Sequence, residues 1–229
     1  MTPLHRHQIA WLSETGWHAV QQHDSDATAR DCLAHWAARR LPLVVTRQDP
    51  PTDDDTIALG LPAPGRWARR RLAISVPRSD VLYFDEFPLA DQLPRVLPAS
   101  ARPAWRTLCA GLRAVNANAR VYGSHGWQLL SGLDHLRAGS DIDLWLSVSD
   151  EAQADAAAAW LQSASDAMSD TLPRLDGELM FDDGAAVAWR EWQAWRAGRV
   201  KSLLVKTLVG STVVRSRAWH ATAAWAEVA

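Results

Sequence analysis

Tyr122-Gly123-Ser124, followed further along by Asp141-Ile142-Asp143, are the residues whose types and spacing could do chemistry. Residues 140–148 alternate Asp with large apolar side chains and read as a strand. Alternate strand side chains point to one side, so Asp141 and Asp143 project together. Two carboxylates held this way repel, and a divalent cation relieves the repulsion. Oxygen ligands with open positions are what Mg²⁺ prefers when it also holds substrate phosphates. Gly123-Ser124 falls between a strand ending at Tyr122 and a helix over 125–133. A glycine there lets the backbone approach closely, and exposed amides with the Ser124 hydroxyl can hold a phosphate at the helix N-terminus. Singly, Asp-x-Asp is a solvated strand edge and Gly-Ser a turn. In this order, on a strand–helix–strand background, they describe a metal-dependent phosphoryl or nucleotidyl transfer site. A third carboxylate is expected on a neighbouring strand, 172–181, where Asp176 and Glu178 share one face. Asp176 is preferred, as a ligand or as the group that helps deprotonate the acceptor. Glu178 is the alternative, or an exposed polar partner in the strand alternation.

The elements that must position these residues follow from periodicity and turn signals. A helix is expected over 26–40, with Ala29, Leu33, Trp36 and Ala37 on its buried face and Pro42 ending it. Strands are expected over 43–46, 56–62 and 71–77, with a polar Pro/Asp loop at 48–55. Residues 77–103 carry prolines at 77, 88, 94, 98 and 103 and read as a linker with an extended connection. The reading is therefore α+β: a small N-terminal α+β domain over 1–80, then a catalytic domain over 81–229 with a mixed sheet and flanking helices. In the second domain a helix over 103–118 precedes a strand at 120–122. The Asp-x-Asp strand is followed by a helix over 150–165, the third-carboxylate strand, and a hairpin turn at 182–184 into 185–188. A helix over 189–199 and a strand over 202–208 complete it.

Composition bounds the function. The chain has 229 residues, 48% apolar and 22% charged, with a formal charge of −2. That lacks the basic excess of a nucleic-acid binder. No apolar run approaches the roughly 20 residues that span a bilayer, and the first residues lack the apolar core of a signal peptide. Cys32 and Cys109 have no disulfide-framework or metal spacing, which fits a reducing cytoplasm. The thirteen tryptophans are expected mostly in the core.

Gly-Ser followed by Asp-x-Asp resembles the nucleotidyltransferase superfamily, the fold of DNA polymerase β, although residues 125–140 make a longer connection than is usual there. The wider wording narrows the resemblance. Val121-Tyr122-Gly123-Ser124-His125-Gly126-Trp127-Gln128-Leu129-Leu130-Ser131-Gly132-Leu133, then Ser140-Asp141-Ile142-Asp143-Leu144, Arg174-Leu175-Asp176-Gly177-Glu178-Leu179, Val187-Ala188-Trp189-Arg190-Glu191 and Leu204-Val205-Lys206-Thr207 carry it. They resemble the phosphoribosyl-dephospho-CoA transferases of malonate decarboxylase, the holo-acyl-carrier-protein synthases. Leu41-Pro42-Leu43-Val44-Val45-Thr46-Arg47, Leu59-Gly60-Leu61-Pro62 and Arg70-Arg71-Leu72-Ala73 extend it into the first domain. The resemblance implies transfer of a phosphoribosyl-dephospho-CoA group from triphosphoribosyl-dephospho-CoA to a serine of the decarboxylase's acyl-carrier subunit, with pyrophosphate leaving. It implies Mg²⁺ on Asp141, Asp143 and Asp176, and the leaving pyrophosphate on Gly123 and Ser124. Lys206 is a candidate to neutralise the triphosphate, or a lysine at a strand edge. Gln128 is a candidate donor contact and Trp127 a core residue. Arg66, Arg69, Arg70 and Arg71 either dock the donor or carrier or form a solvated face. Two further readings stay open: a nucleotidyltransferase using ATP or another nucleoside triphosphate, and a non-catalytic nucleotide- or carrier-binding module.

Overall fold

The computed structural model describes residues 4–22, 25–49 and 55–215, so most of the expected loop at 48–55 lies outside the described residues. The N-terminal half forms β1 (Ile9–Leu12), α1 (Glu14–Gln22), α2 (Ala27–Ala38), β2 (Leu43–Val45), β3 (Thr56–Pro62), β4 (Arg71–Pro77) and β5 (Val81–Asp85). The strands make a five-stranded sheet in the order β4-β3-β2-β1-β5, with antiparallel pairs throughout. Asp26 starts α2 by accepting hydrogen bonds from the Thr28 and Ala29 amides at 3.0 and 3.1 Å, which satisfies donors the helix itself cannot. Trp17, Val20, Leu33 and Trp36 of the two helices bury one sheet face, meeting Leu43, Val45, Ile57, Leu59 and Leu61. Burying that face is what holds the unit together, at ~25 cal/mol per Å² of apolar surface.

Two differences from the sequence reading stand out. β1 and α1 are additional elements, as is a strand at Ser211–Val214 beyond the expected last one. The proline-rich 77–103 segment is not all connection, because its Val-Leu-Tyr-Phe run forms β5 and completes the N-terminal sheet as an edge strand beside β1. The first sheet thus takes in the chain to Asp85. Beyond it, short 3-10 turns around Pro94 and Pro98 lead into the next helix.

The second half contains α3 (Arg102–Ala114), β6 (Asn118–Tyr122), α4 (Gly123–Ser131), β7 (Ile142–Val148), α5 (Glu151–Ala167), β8 (Leu175–Phe181), β9 (Ala186–Ala188), α6 (Trp189–Arg196), β10 (Leu203–Lys206) and β11 (Ser211–Val214). Its six-stranded sheet runs β11-β10-β9-β8-β7-β6, mixed because β7 and β8 are parallel while the other pairs are antiparallel. Period-two alternation divides β7 cleanly. Ile142, Leu144, Leu146 and Val148 enter a core with Trp105, Leu108, Leu112, Leu161 and Trp192, while Asp143 and Trp145 face the other way. α5 packs through Ala154, Ala157, Ala158, Leu161 and Ala164, a small-residue stripe that lets the helix lie close to its neighbours. Most of the tryptophans are buried, Trp36, Trp105, Trp189 and Trp192 fully. Among the described residues no helix is long and apolar enough to cross a membrane.

The long connection between α4 and β7 ties the halves together. Leu133 packs against the N-terminal core. Arg69 donates to the His135 carbonyl at 2.9 Å, and the His135 ring stacks on Trp127 and meets Trp36 edge-on. Ile9, Phe87 and Trp127 make a small apolar cluster at the same junction.

Candidate active site

The face of the second sheet turned away from its helices carries Tyr122, Asp143, Asp176 and Glu178. In the antiparallel pair Tyr122 lies opposite Asp143, and in the parallel pair Asp143 lies opposite Asp176. β7 begins at Ile142 rather than at the expected Ser140, because the Ile142 amide first bonds the Arg174 carbonyl at 2.9 Å. Asp141 therefore stands on the lip just before the strand, still close enough to act on Asp143. Burial, then the charges of Asp176 and Asp141, push the Asp143 carboxyl up to about 6.

Two glycines permit this arrangement. Gly123 opens α4 with a left-handed φ of 59°, and a Cβ there would lie 1.9 Å from Asp143 Oδ2. Gly177, at φ 138°, lies between the two acidic residues of β8. A Cβ there would stand 1.8 Å from the Leu144 carbonyl oxygen, so no side chain fits where β8 meets β7. Ser124 follows Gly123 at the N-terminal turn of α4 and lines the cleft beside it. The His125 ring sits on the other side of that turn, where Nδ1 donates to the Asp141 carbonyl at 3.0 Å. Burial lowers its pKa and keeps the imidazole neutral, which fits a structural donor.

The structure separates the two β8 carboxylates. Asp176 accepts from the Gly177 amide at 2.9 Å and faces Asp143 across the ladder. Glu178 lies opposite Trp145, is buried, and accepts from Lys206 Nζ at 2.6 Å and His7 Nε2 at 3.0 Å. Its burial alone would raise the carboxyl, but His7 and Lys206 outweigh that and hold it at about 2. Lys206 is thus committed to Glu178. Gln128 is turned away from the carboxylates: its Oε1 accepts from the His135 and Leu136 amides at 3.2 and 3.0 Å, anchoring the long connection. Its place next to the Gly123-Ser124 turn in sequence does not put it there in space, because one helical turn rotates it toward the loop. Of the arginine run, Arg70 pairs with Asp26, Arg66 covers the Trp67 ring, and Arg69 and Arg71 line the cleft.

Two residues to which the sequence reading gave no role belong to this site. Arg174 bridges Asp141 at 2.8 Å and Asp176 at 3.4 Å. It stands two residues before Asp176, so the same alternation that paired the carboxylates marks it. His7 comes from the N-terminal half, with its ring 4.3 Å from that of Tyr122. No local pattern points to it, since the tertiary fold alone brings it here. Burial, with Glu178, Asp143 and Asp176, raises the Tyr122 pKa and keeps its hydroxyl neutral.

Among the described residues no three His, Cys, Asp or Glu side chains stand close enough to share one ion as they are arranged. The donor set of Asp141, Asp143 and Asp176 nevertheless has the chemistry of a hard-cation site: oxygen only, mutually repelling, and now balanced by Arg174. It stands beside a glycine-opened helix N-terminus.

The fold is α+β, a small N-terminal domain followed by a mixed-sheet domain in a nucleotidyltransferase-like arrangement. Two family models cover the chain. The phosphoribosyl-dephospho-CoA transferase MdcG N-terminal domain matches residues 5–87 and the corresponding C-terminal domain matches residues 88–217. A phosphoribosyl-dephospho-CoA transferase of Bradyrhizobium diazoefficiens is 34% identical over 90% of this chain and 88% of its own length. Relatives of the same name from Xanthomonas euvesicatoria and Pseudomonas syringae are 32% and 35% identical, over 88% and 83% of this chain and 90% and 86% of theirs. No solved structure matches significantly. The chain belongs to the phosphoribosyl-dephospho-CoA transferase family and is a transferase.

The different roles of the β8 carboxylates can be measured. Glu178→Gln leaves Lys206 and His7 without their anion and should cost on the order of 3 kcal/mol at neutral pH. The Glu178 carboxyl is held at about 2 against an ordinary 4.5. Its stabilisation is therefore complete above about 4.5 and is lost as pH falls toward 2. Melting curves of the two proteins should converge on acidification, with the variant the less stable at pH 7. Equal melting temperatures at pH 7 would show that the pair carries no weight.

Proposed function

We propose that this protein transfers the 2′-(5″-phosphoribosyl)-3′-dephospho-CoA group from its triphosphate precursor to a serine of the apo acyl-carrier subunit of malonate decarboxylase, releasing pyrophosphate. The observation that carries this reading is the packing of Gly123 against Asp143, with Asp176 directly opposite. It supports the reading because a glycine-opened helix start, suited to a phosphate, stands beside paired carboxylates. The family match supplies the donor class, and the MdcG name points to the decarboxylase carrier. Asp141, Asp143 and Asp176 are the residues that would hold Mg²⁺, which when bound neutralises the donor's phosphates and eases ionisation of the serine hydroxyl.

The chain's own groups divide the rest of the work. Gly123 leaves room for a phosphate to approach the backbone, and the Ser124 hydroxyl and the first α4 amides bind the pyrophosphate end. The serine oxygen forms a bond to the α-phosphorus as the bond from that phosphorus to the β-phosphate breaks. The electron pair leaves with pyrophosphate, and the hydroxyl proton passes to a carboxylate, for which Asp176 is the candidate. Arg174 sits on Asp141 and Asp176 and tempers their repulsion before substrate arrives. We place the reaction in the cytoplasm, because two buried free thiols fit a reducing compartment.

The test is to incubate the protein with apo carrier, triphosphoribosyl-dephospho-CoA and Mg²⁺ and weigh the carrier by intact mass spectrometry. The expected outcome is a Mg²⁺-dependent gain equal to the prosthetic group on one serine. No gain, with donor and carrier shown competent by another enzyme, would reject this donor–acceptor pair.

A further inference from the structure

A cleft of about 790 Å³ runs from Gly123, Ser124 and Asp143 to the N-terminal half. Its far wall is the face of the first sheet that α1 and α2 leave uncovered, where Val44, Thr46, Gly60 and Ala73 present small side chains. Helices cover one face of the sheet; the other is covered only in part, where Ile9 and Val44 pack with Phe87 and Trp127, and the rest of it lines the cleft beside the reacting centre. Arg71 and Arg137 stand on the rim, exposed, and among the described residues neither has a carboxylate within ion-pair distance. His135 lines the same cleft at 4% exposure, and its Nε2 has no hydrogen-bond partner. Burial, reinforced by Arg69, holds this imidazole at about 4, so it is neutral and offers one ring nitrogen to an uncharged polar group.

These features match an elongated ligand with a flat or slender body and an anionic middle. We infer that the open face of the N-terminal sheet seats the dephospho-CoA arm of the donor, with Arg71 and Arg137 on its diphosphate. The inference rests on the transferase reading. Dephospho-CoA joins an adenosine to a pantetheine chain through a diphosphate. Small side chains leave room for either end, two unpaired guanidiniums suit the diphosphate, and the neutral His135 suits a base or an amide. The triphosphate end then lies at Gly123 and Ser124, and the cleft joins the two. On this account the N-terminal half is a donor-binding domain, and the long α4–β7 connection, which carries His135 and Arg137, forms part of the pocket.

Dephospho-CoA itself is the probe, because it lacks the triphosphate and cannot react. Calorimetric titration should show it binding the intact protein and binding Arg71→Glu/Arg137→Glu at least about tenfold more weakly. Arg106→Glu/Arg113→Glu, with the same charge change on the exposed side of α3, should bind it as the unaltered protein does. In transfer assays the cleft pair should raise KM for the donor, leave KM for the carrier unchanged, and change kcat by less than about threefold. Ala73→Phe, which fills the slot without altering charge, should reproduce the rise in donor KM. Undiminished dephospho-CoA binding by the cleft pair, equal weakening by the α3 pair, or a rise in carrier KM instead would each overturn the assignment. Failure of the unaltered protein to modify any carrier would count against the transferase reading alone, since the titration reads the cleft without turnover.

Discussion

Asp143→Asn should reduce transfer on the order of a thousandfold while leaving the protein folded and, without metal, more stable. The activity loss follows from the residue's position between Gly123 and Asp176, where the glycine-opened helix start and the carboxylates converge. Removing one preorganised charge from such a centre costs orders of magnitude in rate. The gain in stability follows from its titration. Burial, with Asp176 and Asp141, lifts the carboxyl to about 6 from an ordinary 3.8, so the folded protein holds that proton more tightly than the unfolded chain does. Relative to the neutral side chain, Asp143 therefore costs nothing below pH 4. Its penalty grows as pH rises through 6 and is complete above it. Melting curves taken in chelator from pH 4 to 8 should place the variant above the parent at pH 8 and bring the two together near pH 4. A variant that melts below its parent at pH 8 would refute the repulsion argument. Turnover within tenfold of the parent would remove Asp143 from the chemistry.

Legibility in the sequence tracked how local each signal was. Asp143 could be placed on its face because alternation in a strand is a two-residue rule, and β7 obeys it; Asp141 stands just before the strand, outside that rule. The same rule makes Asp176 and Glu178 equivalent, since both face one side of β8. They differ only in what lies across from them: Asp143 for the first, Trp145 with Lys206 and His7 for the second. Ladder register and chain packing decide that, and neither is a local property. Gln128 shows the limit of nearness in sequence, because its place beside Gly123 carried no information about which side of α4 it occupies. The elements that escaped notice had weak signals. β1 has only four residues, α1 carries Gly16 within its first turns, and β5 is a short run flanked by proline-rich chain. Their consequence is functional, since β1 and the residues before it bring His7 onto Glu178.

Gly123→Ala tests whether the helix start and the carboxylate are one mechanical unit. A left-handed residue with a Cβ costs about 1–2 kcal/mol in backbone strain wherever it occurs. Here the added carbon would also stand 1.9 Å from Asp143 Oδ2 and 2.8 Å from its Cγ, so either the carboxylate or the first turn of α4 must move. Ser124 moves with that turn, and transfer should fall at least about a hundredfold, since misplacement by an ångström is enough. Strain and collision can be separated by a double-mutant cycle on melting free energy. In an Asp143→Ala background the contacts with Oδ2 and Cγ are gone, and beside the strain only a 3.1 Å approach to the remaining Cβ is left, so Gly123→Ala should cost less there than in the parent. The coupling term should be at least about 1 kcal/mol and favour the double variant, while transfer stays abolished in both. If the cost of Gly123→Ala is the same in both backgrounds, Gly123 is present for its backbone angle alone. The close contact with Asp143 would then have no part in fixing the phosphate site.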